Sequence, residues 1–272
     1  MAVDDYGCVG HQAFGLTVRD QITPLILTFN EAPNITRTLE NLRWAKQIVV
    51  LDSFSNDETL AIVKTFPNAR IVQRKFDTFA AQCNFGLQEI RSEWILSLDA
   101  DYVLSDELNR ELPELNPTSE DAGYRAKFTY CIHGRALRAS LYPPRTILYR
   151  KARAQYRNEN HGHQVHIEGN VLSLKSRIFH DDRKPLDRWF HEQLRYALIE
   201  ARSLTDTPRA RLNRADRLRR RIVIAPFAVF FYTLLGKGLI FDGWPGWYYV
   251  FQRTLAEMLL SLRLMEQKWK SH

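Results

Sequence analysis

The sequence predicts an α/β domain built on a mostly parallel sheet, with a mixed extension of that sheet and a helical tail. Three observations carry this. Between Ile22 and Leu115, short and nearly continuous apolar runs alternate with helical stretches, the pattern of parallel strands covered on both faces. From Asp121 to about His180 the chain offers strand-like runs with no clear helix between them. From Arg209 onward it changes to an arginine block and a long apolar stretch.

Each element has its own signal. Ile22–Phe29 reads as a strand, and the helix after it begins near Asn34, just past Pro33, since proline suits the start of a helix. Gln47–Leu51 is a second strand, Asp57–Phe66 a helix ended by Pro67, and Ala69–Gln73 a third strand. Ala80–Ile90 is a third helix and Trp94–Leu98 a fourth strand. Gly123–Ile132, Thr146–Arg150 and Gly169–Phe179 form the mixed extension, and Arg188–Leu204 is amphipathic at helical spacing. The tail holds the apolar run Ile222–Leu235, interrupted by Pro226 and followed by Gly236-Lys237-Gly238, and a helix over Trp247–Met265 after the turn Asp242–Gly246. The organisation is therefore an extension over 1–20, an α/β domain over 21–205 and a basic, apolar helical region over 206–272.

Composition narrows the function classes. Of 272 residues, 45% are hydrophobic and 25% charged, ordinary globular values that exclude disorder and fibrous folds. Lys and Arg number 38 against 31 Asp and Glu, a net charge of +7 that favours an anionic partner. Cys8, Cys83 and Cys131 are too scattered for a disulfide framework or a zinc site, which points to a reducing compartment. The segment Met1–Gly15 has no apolar core of a secretory signal, so a cytoplasmic location is expected.

Ligands of an open parallel sheet bind beyond the carboxyl ends of its strands. The first strand ends in Thr28-Phe29-Asn30-Glu31, the second in Asp52-Ser53-Phe54-Ser55-Asn56-Asp57 and the fourth in Asp99-Ala100-Asp101. Asp52, Asp57 and Asp99 each fit a turn or a helix cap taken singly, but together they bring carboxylates to one edge. Their mutual repulsion calls for a cation, and oxygen ligands suit Mg2+ or Mn2+. Neither a Gly-x-Gly-x-x-Gly nor a phosphate-binding glycine loop with Lys is present, so a dinucleotide or P-loop fold is not expected.

Through Leu27-Thr28-Phe29-Asn30-Glu31, Asp52-Ser53-Phe54-Ser55, Phe79-Ala80-Ala81-Gln82 with Asn84-Phe85, and Leu98-Asp99-Ala100-Asp101, the sequence resembles family 2 glycosyltransferases. These are inverting enzymes of the GT-A fold, and the similarity is to the lipopolysaccharide-core glucosyltransferase type. It covers about Ile22 to Leu204. The resemblance implies a nucleoside-diphosphate sugar donor and a lipid-linked or glycan acceptor. It implies that Thr28, Asn30 and Glu31 line the nucleoside pocket with Ser53 and Asn84 beside it, and that Asp52 contacts the base. Asp99 and Asp101 would hold the ribose and a metal bridging the diphosphate. Two positions depart from the pattern: Cys83, usually basic, and Tyr102, usually acidic. Arg74 or Lys75 are nearby substitutes for the lost phosphate contact.

Inverting transfer needs a carboxylate to take the acceptor's proton. The resemblance places it in a His-Glu pair, but here the pair is His163-Gln164, and Gln is no base. The nearby run His180-Asp181-Asp182-Arg183-Lys184 offers Asp181 or Asp182 instead; alternatively a polyprenyl phosphate acceptor, already ionised, needs no base. His180 is a candidate third metal ligand. His161, His163 and His166 read as acceptor-site lining or a solvated turn.

The tail reads as a monotopic membrane anchor. Seven arginines between Arg209 and Arg221 face only Asp216, a charge that suits an anionic membrane surface, and Trp244, Trp247, Tyr248 and Tyr249 are residues of the headgroup level. The alternative is a helical hairpin joining two copies as a homo-oligomer. No nucleic-acid-binding motif accompanies the basic block, so nucleic acid is not an expected partner. A non-catalytic sugar-nucleotide-binding protein is the remaining alternative to an enzyme.

Overall fold

The computed structural model of the protein describes residues 17–159 and 162–270. Cys8, His161 and most of the 1–20 extension fall outside it, as do the side chains of His163 and Gln164. The first strands are apolar on both faces, and both faces are covered. β1 (Ile22–Thr28), β2 (Ile48–Asp52), β3 (Ala69–Gln73) and β4 (Trp94–Asp99) run parallel in the order β3-β2-β1-β4. The pleat sends alternate residues to opposite sides. Ile26, Val50 and Leu96 pack under α1 (Ile35–Asn41) and α2 (Thr59–Val63), while Leu25, Leu51 and Ile95 pack under α3 (Phe79–Gln88). Gly86 lets α3 approach closely: a Cβ there would lie 2.8 Å from Leu25 Cδ2.

The register sets the site. Thr28 lies beside Asp52 and Leu27 beside Asp99, so the three strand ends finish level with one another. After Asp99 the chain forms β5 (Tyr102–Leu104) and α4 (Asp106–Glu111), then β6 (Asp121–Ile132), β7 (Arg135–Ala136) and β8 (Arg145–Arg150). β9 (Ala154–Glu159) and β10 (Gly162–Ile167) make a separate antiparallel pair, and β11 (Asn170–His180) returns to the main sheet. β8 joins β4 antiparallel, β6 joins β8 antiparallel, β11 runs parallel to β6, and β5 closes the edge antiparallel to β11. This is the expected mixed extension. β5 and the β9–β10 pair were not foreseen: β5 has only three residues, and Gln155, Arg157, Asn158 and Glu159 give β9 no apolar alternation.

The tail differs in detail from the sequence reading. α5 (Leu186–Asp206) leads through α6 (Arg214–Arg219) to α7 (Ile224–Phe231), and α8 (Trp244–Lys270) closes the chain. Pro226 does not break the apolar run, because it sits in the first turn of α7, where its missing N–H has no intrahelical partner to lose. α8 starts at Trp244, three residues earlier than expected, with Pro245 in its first turn. There Gly246 passes so near the Leu239 carbonyl that no side chain would fit. The tail packs onto the sheet: Ile132 and Leu137 share a core with Leu234, Leu239, Tyr249 and Val250. Two arginines of the basic block turn inward. Arg219 pairs with Glu257 and Glu200, and Arg220 donates to the carbonyls of Leu204, Thr205 and Thr207 at the end of α5. A helix C-terminus leaves carbonyls without partners, and a partly buried guanidinium satisfies several at once.

Candidate active site

Polar residues at the ends of β1 and β2 close into one network. Asp52 is fully buried. One of its oxygens accepts from Thr28 Oγ1 (3.1 Å) and Ser55 Oγ, and the other from Ser55 N (2.9 Å) and Gln73 Nε2 (3.1 Å). Asn30 takes a left-handed backbone with φ of 56°; its N–H donates to Ser55 Oγ and its side-chain oxygen accepts from Asn56 N. Ser53 N donates to the Thr28 carbonyl, and Ser53 Oγ accepts from Gln82 Nε2. Asn84 stands apart from these contacts, clasping the backbone N–H and C=O of Tyr156 and so holding β9 against α3.

The second half of the site comes from eighty residues farther on. Because β5 pairs with the end of β11, His180 lies beside Tyr102, and Asp181 N donates to the Asp101 carbonyl at 3.1 Å. The Asp99-Ala100-Asp101 turn and the His180–Lys184 run thereby become one surface. His180 Nε2 lies 3.3 Å from Asp101 Oδ2, and its ring is walled by Tyr102, Tyr130 and Tyr142. Burial alone would lower the imidazole pKa, but the Asp101 carboxylate outweighs it and the pKa is raised.

Lys184 is the cation at the centre. Its Nζ lies 3.0 Å from Glu31 Oε1, 3.3 Å from Asp182 Oδ2 and 3.9 Å from Asp101 Oδ2. Burial pushes the Glu31 carboxyl up to about 7 against the pull of this ammonium. At Asp182 burial also raises the pKa, but Lys184 and the hydrogen bonds from Lys184 N and Asn34 prevail, and it lies below the usual carboxylate range. The ammonium itself is held above its ordinary value, since three carboxylates overcome its desolvation. The repulsion among strand-end carboxylates is thus met in part by a lysine of the chain.

The two aspartates after β11 have different surroundings. Asp181 is buried, accepts from Gly134 N (2.9 Å) and is gripped by Arg183 Nε (2.9 Å) and its terminal nitrogen (2.8 Å). Asp182 keeps one oxygen on Asn34 Nδ2 and Lys184 N and lines an open cleft with Lys184, Trp189, Tyr248, Gln252 and His133.

Sequence reasoning missed four residues here. Asn34, fully buried, donates to both Glu31 and Asp182 and accepts from Arg183 N. Lys184 was visible only as part of a charged run. Arg188 donates to the carbonyls of Phe29 and Asn30, and Arg145 lies 3.6 Å from Asp99 while bonding the hydroxyls of Tyr102 and Tyr142. Only Asn34 carried a local signal, its place as helix cap, and that signal says nothing of Asp182.

A divalent metal is implied by the resemblance, and the chemistry of the donor set fits one. Asp101 Oδ1 is buried without a hydrogen-bond partner, and the Asp99 side chain is 43% exposed. Among the described residues no three His, Cys, Asp or Glu side chains are already gathered around one point. Magnesium-like ions are commonly held by one or two carboxylates together with substrate phosphates, which is what this pair would supply.

Compared with known proteins, residues 25–168 match the family described as glycosyl transferase family 2. The chain belongs to that family. The match ends before β11, so the His180–Lys184 half of the site lies outside it. Among curated relatives, a protein named lipopolysaccharide core biosynthesis glycosyltransferase LpsC, from Rhizobium meliloti (strain 1021), is 26% identical over 189 residues, covering 66% of this chain and 70% of the relative. An uncharacterized glycosyltransferase of Rickettsia bellii (strain RML369-C) is 29% identical over 144 residues, 51% of this chain and 49% of its own length. In structure the chain is similar to a mannosyltransferase of Pyrobaculum calidifontis, solved with GDP-Man and Mn2+, at a TM-score of 0.53 and 13% identity, over 92% of this chain and 88% of that one. The fold is GT-A, and the family makes the protein a glycosyltransferase.

Proposed function

We propose that this glycosyltransferase moves a sugar, with inversion, from a nucleoside-diphosphate sugar to a hydroxyl of a lipid-linked or glycan acceptor in cell-envelope polysaccharide synthesis. One observation carries the reading: the Asp99–Asp101 turn and the Asp182 carboxylate meet across Lys184, so a donor-binding edge and a proton acceptor share one surface. The family and the LpsC relative support the donor class and the envelope setting. Thr28, Asn30, Glu31 and Ser53 line the nucleoside end, with Asp52 and Asn84 fixing the loop and β9 around it. Asp99 and Asp101, with His180 behind them, are the residues that would hold Mg2+ or Mn2+. Such an ion would neutralise charge on the departing diphosphate.

The chain's own residues do the rest. The acceptor oxygen bonds to the anomeric carbon as the bond from that carbon to the phosphate oxygen breaks, and the nucleoside diphosphate leaves with the electron pair. The acceptor's proton passes to Asp182, the general base. Asp181, with both oxygens engaged by Gly134 and Arg183, positions the run instead. An ionised polyprenyl phosphate needs no base; a hydroxyl acceptor does, and Asp182 stands where it can serve one.

The tail supports a membrane surface as partner. Val223, Phe227, Phe231 and Leu235 recur every fourth residue and are 61%, 63%, 55% and 59% exposed, an apolar stripe along one helix face. Arg209, Arg211, Arg214, Arg217 and Arg221 are exposed near its start, where anionic headgroups would meet them. No described helix is long and apolar enough to cross a membrane; the arrangement proposed is interfacial, on the cytoplasmic face. The test of the enzymatic reading is a screen of sugar nucleotides for turnover with manganese, repeated with Asp101→Ala. Metal-dependent nucleotide binding that survives this substitution would remove the site from the strand ends.

A further inference from the structure

The cleft beyond Asp182 is walled by residues from three separate elements. Trp189 comes from α5, Tyr248 and Gln252 from α8, and His133 from the turn after β6, with Asp182 and Lys184 beneath them. Tyr248 and Gln252 are one helical turn apart and so face the same way. His133 is exposed in a left-handed turn with φ of 47°, and its ring stands 6.3 Å from Tyr248. Nothing in the strand-end network uses these side chains.

Their chemistry selects a ligand. Trp189 and Tyr248 are both partly exposed, Tyr248 with one side packed on the Ile132 core, and flat amphipathic rings of this kind take a ligand with an apolar face and polar edges. Gln252 offers a donor and an acceptor together. Lys184 is already matched by Glu31, Asp182 and Asp101, so its ammonium is not free to bind a phosphate. A sugar ring satisfies all three conditions: apolar C–H faces, hydroxyl edges and no charge.

We propose that this cleft is the acceptor subsite, and that it takes a neutral sugar ring of the acceptor, stacked on Trp189 or Tyr248, with one hydroxyl on Asp182. The proposal rests on the glycosyltransferase reading above and adds the place and class of the acceptor. It also gives α8 two duties. The helix that lines the cleft through Tyr248 and Gln252 exposes Phe251, Met258 and Leu262 along its length. A sugar carried on a lipid would then meet its cleft and its membrane-facing surface on the same helix.

Calorimetric titration of the full chain with a deacylated lipopolysaccharide-core oligosaccharide tests it, with Trp189→Ala and Gln252→Leu compared with the unaltered protein and folding checked by circular dichroism. Saturable binding should weaken at least about tenfold in Trp189→Ala, the scale of one lost aromatic contact, and clearly in Gln252→Leu, which keeps the assay decisive if the tryptophan variant does not fold. Undiminished binding in the folded variants overturns the proposal. So does an absence of saturable binding to the unaltered protein, or preferential binding of a short prenyl phosphate that the same substitutions abolish. Sugar-nucleotide turnover is read separately. Oligosaccharide binding that depends on Trp189 and Gln252 without any turnover leaves the cleft standing and removes the enzymatic reading instead.

Discussion

At the end of β2 the Asp52 carboxylate is wholly buried, and its partners Thr28, Ser55 and Gln73 all lie within the first parallel strands and the loops after them. Beyond β11 the Asp182 carboxylate stands at the wall of a cleft, held by Asn34 from the start of α1 and by Lys184. The first carboxylate is a fastening and the second is available to a ligand. The comparison teaches that acidic residues of one site divide by how their oxygens are spent. A carboxylate buried with its lone pairs all engaged shapes the loop around a ligand, whereas one that lines a cleft can exchange a proton with a ligand there.

The sharpest way to break this division is to remove each neighbouring charge after β11 in turn. Asp182→Asn should lower turnover by about a hundredfold or more while nucleotide binding survives, the usual scale for a lost general base. Asp181→Asn should act chiefly on stability, costing about 2 kcal/mol in chemical denaturation, because hydrogen bonds to charged groups contribute on that scale. Steady-state kinetics and unfolding curves on both variants decide it. Equal loss of turnover with equal stability in the two would erase the distinction between fastening and base.

Asn34 ties the two regions together, so its removal sharpens the comparison. Asn34→Ala leaves Arg183 N and oxygens of Glu31 and Asp182 without their partner. The expected cost is about 2 kcal/mol, that of leaving buried polar groups unsatisfied, measured as a lowered denaturation midpoint with unchanged slope. A variant as stable as the parent would mean that β5–β11 pairing and the Lys184 and Arg188 contacts hold the two halves without it.

The smallest effect on the fold is expected on the exposed stripe of α7. Phe227→Asp with Phe231→Asp should leave stability within about 0.5 kcal/mol per site, as surface changes usually do, yet abolish flotation with vesicles of phosphatidylglycerol and phosphatidylcholine. Binding by the unaltered protein should weaken with salt. If the unaltered protein ignores vesicles, and the substitutions instead turn a dimer into a monomer, the stripe belongs to a second copy of the chain.

The parallel half was legible because its information is local. An apolar run, a turn and an amphipathic helix each announce themselves within ten residues or so. Thr28, Asp52 and Asp99 could therefore be placed at strand ends before any coordinates. The helical tail was legible in composition but not in detail. Pro226 and Pro245 were read as breaks, yet both sit in first turns of helices. The arginine block was read as one surface, yet Arg219 and Arg220 are taken up by partners on α5 and α8.

What the sequence determined by itself was the class of fold, the level edge of carboxylates and the family whose motifs they form, because strand periodicity and short motifs are properties of neighbouring residues. What only the tertiary structure decided was which acid faces which cation. Asn34 meets Asp182 across 148 positions of chain, and Lys184 meets Glu31 across 153. β5, too short to read, brings Asp101 under His180 by pairing with β11. Electrostatic and hydrogen-bond partners are fixed by distance in space, and distances of a few ångströms between remote segments exist only once the sheet has closed its register.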